Sequence, residues 1–260
     1  MSNLEKTALV VGAASGMGRI HARRLASRGM KVAIADRDEK GLAETNAGHP
    51  EMLRLPCDVT DPESVGRMVE RALAELGSID RLVHTAGIMP TNLIVDASPD
   101  EVKRVMRVNY EGAVNVVSAV LPSMRAASKG RIIVYGSVAG YALTPHLGAY
   151  CASKAATNAY VEILGEELKG TGVHVHLICP PMVNTPLIEQ ARGTSNPKSI
   201  QQATREGLLA DPEKVVEAVD RAVEKGERVV FPLAAAKALH LARRYAPGLL
   251  WKIIRRSEEM

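Results

Sequence analysis

Short apolar runs alternate with longer stretches of helical periodicity along most of the chain. Thr7–Val11 is apolar throughout and runs into glycine, the pattern of a strand buried on both faces. Further runs of this kind predict strands at 31–35, 51–56, Arg81–His84, 131–135, Val173–Ile178 and 228–231. Between them, apolar residues recur every three to four positions at 16–28, 38–47, 62–76, 99–108, 111–127, 148–169 and 212–224, and these stretches are read as helices. Gly29 stops the first helix. Strands separated by helices form right-handed βαβ units. The expected fold is therefore α/β, a doubly wound parallel sheet of about seven strands with helices on both faces. Pro180-Pro181 ends the sixth strand, and the polar stretch 182–210, with Gly193, Asn196 and Pro197, reads as a substrate lid or binding loop.

A chain of 260 residues can bury a substantial core, and the unbroken alternation points to one domain over 1–233. Residues 234–260 form a basic amphipathic helical extension. They hold six Lys/Arg and two acids, and the other 27 basic and 27 acidic residues cancel, so the net charge of +4 belongs to the tail. That distribution argues against a nucleic-acid-binding face on the main domain. Cys57, Cys151 and Cys179 show no metal-binding spacing, and so sparse an odd count suits free thiols in a reducing, cytoplasmic setting. Residues 1–6 lead directly into a strand, which argues against a signal peptide. No run of 18 apolar residues occurs, so no helical membrane span is expected.

The candidate chemistry centres on Tyr150 and Lys154, four residues apart on one predicted helix face. A nearby ammonium favours phenolate, so the expectation is a lowered tyrosine pKa and a phenol able to pass a proton near neutral pH. Gly12, Gly16 and Gly18 stand where the first strand feeds the first helix. Glycines there permit a tight turn and let a helix N-terminus face a pyrophosphate, although a plain strand-to-helix turn has the same look. Asp36 lies 20 residues after Gly16, at the end of the second strand, placed to accept hydrogen bonds from ribose hydroxyls or to cap the next helix.

Gly12-x-x-x-Gly16-x-Gly18, Asp36, Asn109, Ser137 and Tyr150-x-x-x-Lys154, in this order, closely resemble the short-chain dehydrogenase/reductase family, from about residue 6 to residue 231. The resemblance implies a single-domain Rossmann fold. It implies Tyr150 as general acid/base, Lys154 as the group that tunes it and holds the nicotinamide ribose, Ser137 as a donor to the substrate oxygen, and Asn109 as the residue whose carbonyl positions a water on the proton path. The bland alternatives are a turn serine at Ser137 and a helix-end asparagine at Asn109. For the dinucleotide the resemblance implies contacts from Gly12, Ser15, Gly16, Met17, Gly18, Asp36, Arg37, Asp58, Val59, Ala86, Gly87, Tyr150, Lys154, Pro180, Val183 and Thr185. Asp36 and the absence of a basic residue at Ser15 favour NAD, while Arg37 leaves NADP open. Two departures stand out. His84-Thr85-Ala86-Gly87 replaces the family's Asn-Asn-Ala-Gly, which puts bracing of the sheet in question, and Pro181 replaces a glycine beside the nicotinamide.

No metal site is expected, since His174 and His176 lack a third ligand nearby. His146 reads as lining the substrate mouth or as a surface loop residue, and Cys151 as small-residue packing. The leading function is hydride transfer between NAD(H) and a secondary alcohol or ketone, bulky and apolar, on the strength of Met89, Leu93, Tyr141, Leu143, Met182, Leu187 and Ile188. Alternatives are an NADPH-dependent 3-ketoacyl or 3-keto-lipid reductase and a nucleotide-binding regulator or scaffold. The resemblance implies a homodimer or homotetramer, paired through helices 99–127 and 148–169. In the tail, Pro247 starts a helix with Leu249, Leu250, Ile253 and Ile254 on one face, Lys252, Arg255 and Arg256 on the other, and Trp251 at the border. That face packs on the protein or makes weak peripheral membrane contact.

Overall fold

The computed structural model describes residues 5–258; residues 1–4 and 259–260, at the outer ends of the two predicted segments, lie outside the described residues. Seven parallel strands, β1 (Thr7–Val11), β2 (Lys31–Asp36), β3 (Leu53–Pro56), β4 (Arg81–His84), β5 (Gly130–Tyr135), β6 (Val173–Ile178) and β7 (Val229–Val230), form one sheet in the order β3-β2-β1-β4-β5-β6-β7. The expected α/β architecture is what the chain adopts. Strand order reverses between β1 and β4, which opens a crevice at the carboxyl ends of these strands.

The period-2 alternation of β1 sorts its residues between two cores. Leu9 and Val11 join Val65, Val116 and Val161 from α3 (Pro62–Leu76), α5 (Gly112–Ala126) and α6 (Gly148–Glu167). Ala8 and Val10 face the other way, toward Leu25, Leu42 and Val219 from α1 (Gly16–Ser27), α2 (Glu39–Asn46) and α9 (Pro212–Glu224). Aliphatic side chains fill both layers, as the scarcity of aromatic residues requires. A second link between layers is polar: His21 Nε2 and Tyr135 Oη lie 2.7 Å apart in the interior.

Most element boundaries fall within two residues of those predicted. The break expected near residue 109 is not a break. α4 (Pro99–Met106) continues through a π-helical turn, Arg107–Glu111, into α5. The 182–210 stretch is not irregular either. It contains α7 (Pro186–Arg192), which starts at a proline suited to the first helical turn, and α8 (Lys198–Arg205). Pro197 precedes α8 and has no side chain to cap it. The cap comes from the far end of the chain: the Glu258 carboxylate accepts from Lys198 N at 3.0 Å and Ser199 N at 3.1 Å. The tail reaches this point through α10 (Ala234–Tyr245) and α11 (Pro247–Ser257). Leu250 and Ile254 pack there with Val138, Ala142 and Ala236, and His240 sits 4.6 Å from the Tyr141 ring.

Glu258→Ala is expected to leave two amides of α8 uncapped, costing about 1–2 kcal/mol locally. Hydrogen exchange at residues 198–202 should speed up roughly 5–30-fold; unchanged protection would count against the cap.

Burial also holds three histidines neutral, His21 and His176 down to about 4 and His84 to about 3. Their folded pKa values lie below the unfolded one, so the unfolded chain binds more protons as pH falls below about 6.5. Their contribution is fully present above that pH and is lost toward pH 4 and below, each at up to about 1.4 kcal/mol per pH unit. The denaturant midpoint should drop steadily from pH 7 to pH 4.5, and a flat profile would contradict this account.

Candidate active site

The glycine turn is built by contacts that exclude side chains. Gly12 has φ +83°, and a Cβ on it would sit 2.4 Å from Ala86 N. A Cβ on Gly18 would lie 2.1 Å from Gly12 O. Both separations are below any real carbon contact, so α1 begins pressed against the ends of β1 and β4. Ser15 caps α1 with its main chain in an extended conformation and its hydroxyl unused by the cap. The first turn of α1 carries no acidic residue, which leaves its N-terminus open to an anion. Met17 is half-buried behind the turn.

Asp36, at the end of β2, accepts from Ala14 N at 3.1 Å and from Asp38 N at 3.1 Å. It is not the cap of α2; Asp38 is, accepting from Gly41 N at 3.0 Å. Asp36 therefore stands at the rim of the glycine turn, with Arg37 exposed next to it. Asp58 follows β3, its carboxylate held by Thr60 N and Oγ1, and these hydrogen bonds draw its pKa down. Val59 beside it is buried against Gly112.

The replaced asparagine pair finds other solutions. Thr85 Oγ1 donates toward Val11 O at 3.0 Å and Gly12 O at 3.1 Å, so a threonine braces β4 to the glycine turn. His84 is fully buried, and neither ring nitrogen has a hydrogen-bond partner among the described residues. Ala86 and Gly87 leave space at the crevice; a Cβ on Gly87 would reach the Asn109 Oδ1 at 3.3 Å and Lys154 Nζ at 3.8 Å.

β5 and α6 bring together the candidate proton-transfer groups. Ser137 follows β5, and its Oγ accepts from Ala139 N at 3.0 Å, which makes it the turn serine as well. The same residue acts to lower the pKa of the Tyr150 phenol. Lys154 Nζ lies 5.8 Å from the centre of the Tyr150 ring and donates to Tyr135 O at 2.7 Å. The expected lowering of the tyrosine pKa is overturned here. Burial pushes Tyr150 up to about 12, against the opposing effect of Ser137, and burial also brings Lys154 down to about 8. Both groups have lost water, and that outweighs a charge held across the ring.

Asn109 lies inside the π turn and is 1% exposed. Its amide clamps Ile88, accepting from Ile88 N at 2.8 Å and donating to Ile88 O at 2.9 Å. Its main-chain carbonyl receives Thr157 Oγ1 at 3.2 Å. A π turn displaces carbonyls from the regular ladder, the kind of irregularity that recurs at functional sites.

The loop after β6 closes the other side. Pro180 O accepts from Val138 N at 3.2 Å, tying it to the Ser137 turn. Val183 bridges Ala210 through Asn184 N and Met182 O, so its own N–H is not spent in that bridge. Thr185 caps α7 and packs 3.5 Å from where a Gly16 Cβ would be. All the predicted site residues thus meet at one end of the sheet.

The apolar residues divide. Met89, Leu143, Leu187 and Ile188 share a cluster with Tyr150 and Cys151. Tyr141 does not belong to it: its ring packs on Phe231 and His240, and its hydroxyl bonds Glu162. Met182 points to solvent at 39% exposure. A cleft of about 350 Å3 runs beside this cluster, lined by Pro90, Thr91, Ile94, His146, Ala149 and Thr194. Its lining includes Ala149, the α6 residue that precedes Tyr150 in sequence, but not Tyr150 itself. The α7 segment is pinned over it by Thr91 Oγ1 to Ala191 O at 2.9 Å and by Met89 N to Gln190 Oε1.

Sequence reasoning missed three supporting residues. Asn158 holds the Ser137 main chain, donating to Ser137 O at 3.0 Å. Its spacing, four residues beyond Lys154 on the Tyr150 face of α6, was a usable signal. Thr85 had a signal in its place within the family's bracing pair, while Gln190 had none, because it acts through a main-chain contact distant in sequence.

Comparisons with known proteins agree with this geometry. Residues 6–196 match the family described as short chain dehydrogenase. An uncharacterized oxidoreductase of Staphylococcus saprophyticus is 38% identical over 208 residues, covering 76% of this chain and 89% of that protein. A dehydrogenase/reductase SDR family protein 7-like of Anopheles gambiae is 33% identical, covering 98% of this chain and 84% of its own. Among solved structures, a short chain dehydrogenase/reductase from Burkholderia phymatum in complex with NAD superposes with a TM-score of 0.84 at 28% identity, covering 94% of this chain and 95% of the other.

Proposed function

Since this chain belongs to the short-chain dehydrogenase family and is an oxidoreductase of it, we propose that it transfers hydride between NAD(H) and a bulky, apolar secondary alcohol or ketone. The observation that carries this reading is the convergence of Ser137, Tyr150 and Lys154 beside the Gly12–Gly18 turn. The turn fits a dinucleotide because Gly12 and Gly18 let α1 start tight against the ends of β1 and β4, where its N-terminus has no side-chain cap and no acidic residue in its first turn. The nicotinamide, when bound, supplies or accepts the hydride. Gly12, Ser15, Gly16, Met17 and Gly18 would hold the pyrophosphate, Asp36 and Arg37 the adenosine ribose, and Asp58 and Val59 the adenine. Ala86, Gly87, Pro180, Val183 and Thr185 would line the nicotinamide half.

Tyr150, with its pKa near 12, keeps its proton at neutral pH and is placed to deliver it to a developing alkoxide. Ser137 contributes the second hydrogen bond to that oxygen. Lys154, anchored on Tyr135 O, holds positive charge near the phenol and the ribose, and Asn109 keeps the π-turn carbonyls in place. Alcohol oxidation needs the phenol deprotonated, so it should speed up as pH rises. The apolar substrate class follows from Met89, Leu143, Leu187 and Ile188 around Tyr150. NAD is the preferred cofactor in this reading because the Asp36 carboxylate at the rim of the turn repels a 2′-phosphate.

One assay tests both parts: kcat/KM for a panel of apolar alcohols with NAD and with NADP. Tyr150→Phe is expected to lower turnover by about 10²–10⁴-fold with dinucleotide binding retained. Asp36→Ala should narrow the preference for NAD. Turnover above about a tenth of wild type in Tyr150→Phe would remove the assigned proton donor, and a wild-type preference for NADP would mean that Arg37 governs the choice.

The assembly that fits this reading is a homodimer or dimer of dimers through α4–α5 and α6, where Tyr110 and Tyr160 pack edge to face and Ile163 is 58% exposed. Light scattering at micromolar concentration should give a mass of at least two chains; a monomer would overturn it.

A further inference from the structure

The apolar face of α11 is split by the fold. Its inner edge, Leu250 and Ile254, is taken up by packing on Val138 and Ala236. Its outer edge is left in solvent, with Leu249 60% and Ile253 55% exposed. At 100° per residue, Lys252 and Arg256 border this outer edge, and both are exposed. α10 repeats the arrangement one element earlier. Leu241 and Tyr245 are 41% and 75% exposed and stand one turn apart, with exposed Arg244 beside them. Two consecutive helices therefore present apolar side chains flanked by cations. A helix that only packs on its own domain would not keep half of its apolar stripe in water.

Charge decides what covers this face. Glu258 is the single acid among residues 234–258, and it is turned inward onto Lys198 N and Ser199 N. Over 234–260 six Lys/Arg stand against two acids, and one of these, Glu258, is spent on α8, so the extension is strongly cationic. A two-fold contact with a second copy would set Lys252 and Arg256 against like charges. An anionic lipid surface suits the pattern, since it neutralises the cations and takes up the apolar edge together.

We propose that the outer face of α11, with the adjoining last turns of α10, docks on an anionic membrane surface. Through Glu258 the docked helix is bonded to the N-terminus of α8. This proposal stands apart from the reading of the catalytic site, because its test needs no turnover.

Trp251 is the chain's single tryptophan and lies half-buried on the border of the exposed face, with Arg243 5.6 Å from its ring. Its emission reports docking directly. The full chain would be mixed with vesicles of phosphatidylcholine alone, or of equal parts phosphatidylcholine and phosphatidylglycerol, then sedimented and its fluorescence read. Binding with a blue shift is expected on the anionic vesicles, falling about tenfold or more between low salt and about 0.5 M salt. Leu249→Ser/Ile253→Ser and Lys252→Gln/Arg256→Gln should each weaken binding about tenfold, with thermal midpoint and dinucleotide binding unchanged. Absence of binding to anionic vesicles at low salt overturns the proposal. So does equal binding to pure phosphatidylcholine, or wild-type binding by both double variants. Dissociation of the oligomer in the Leu249/Ile253 variant would assign the face to a second copy instead, and would also overturn it.

Discussion

Loss of water around one phenol and one ammonium is the constraint on which this site depends. Tyr150 and Lys154 are both nearly inaccessible, at 7% and 5%. A protein tolerates such burial only where each group has a partner. The end of β5 acts on both groups. Its last residue, Tyr135, offers a carbonyl to Lys154, and Ser137, just beyond, offsets part of the rise in the Tyr150 pKa. Asn158, one turn further along α6, fastens the Ser137 main chain. The register of α6 against the end of β5 thus sets the positions of Tyr150, Lys154 and Asn158 relative to Ser137. A shift of one helical residue would turn all three α6 side chains away from it.

The same end of the sheet is packed so closely that several positions carry no side chain. Gly12, Gly18 and Gly87 mark where backbone takes the place of side chains. Thr85 shows how the region stays rigid without the family's asparagine pair. Its single hydroxyl reaches both Val11 O and Gly12 O, so the brace acts on the turn itself. Pro181, in place of a glycine, is accommodated as well, since Val183 and Ala210 still pair across the loop.

Around this rigid end lies a second unit made from parts far apart in sequence. α7 is held to the β4 loop by Thr91 and Gln190, and α8 is capped by Glu258. The tail in turn rests on Val138 and Ala142, immediately after the Ser137 turn. The Ser137 turn, α7, α8 and the C-terminal helices are therefore joined by contacts between segments distant in sequence. A basic tail set apart by its charge in the sequence is, in the folded chain, a neighbour of the site.

Hydrophobic spacing alone determined the alternation of strands and helices, because period-2 and period-3.6 burial are local consequences of backbone geometry. The glycine turn, Asp36 and the Tyr150–Lys154 pair were legible for a similar reason, each being a short-range pattern on one element or one turn. Tertiary structure decided the rest. Whether a lysine lowers its neighbour's pKa depends on how much water both groups lose, and residues of other elements packed around them control that. Tyr141 left the expected substrate lining because Phe231 and His240 captured its ring. The break expected near Asn109 became a π turn because its side chain is spent on Ile88. The cap of α8 lies about 60 residues from the helix it completes, and no local pattern encodes a hydrogen bond across that distance.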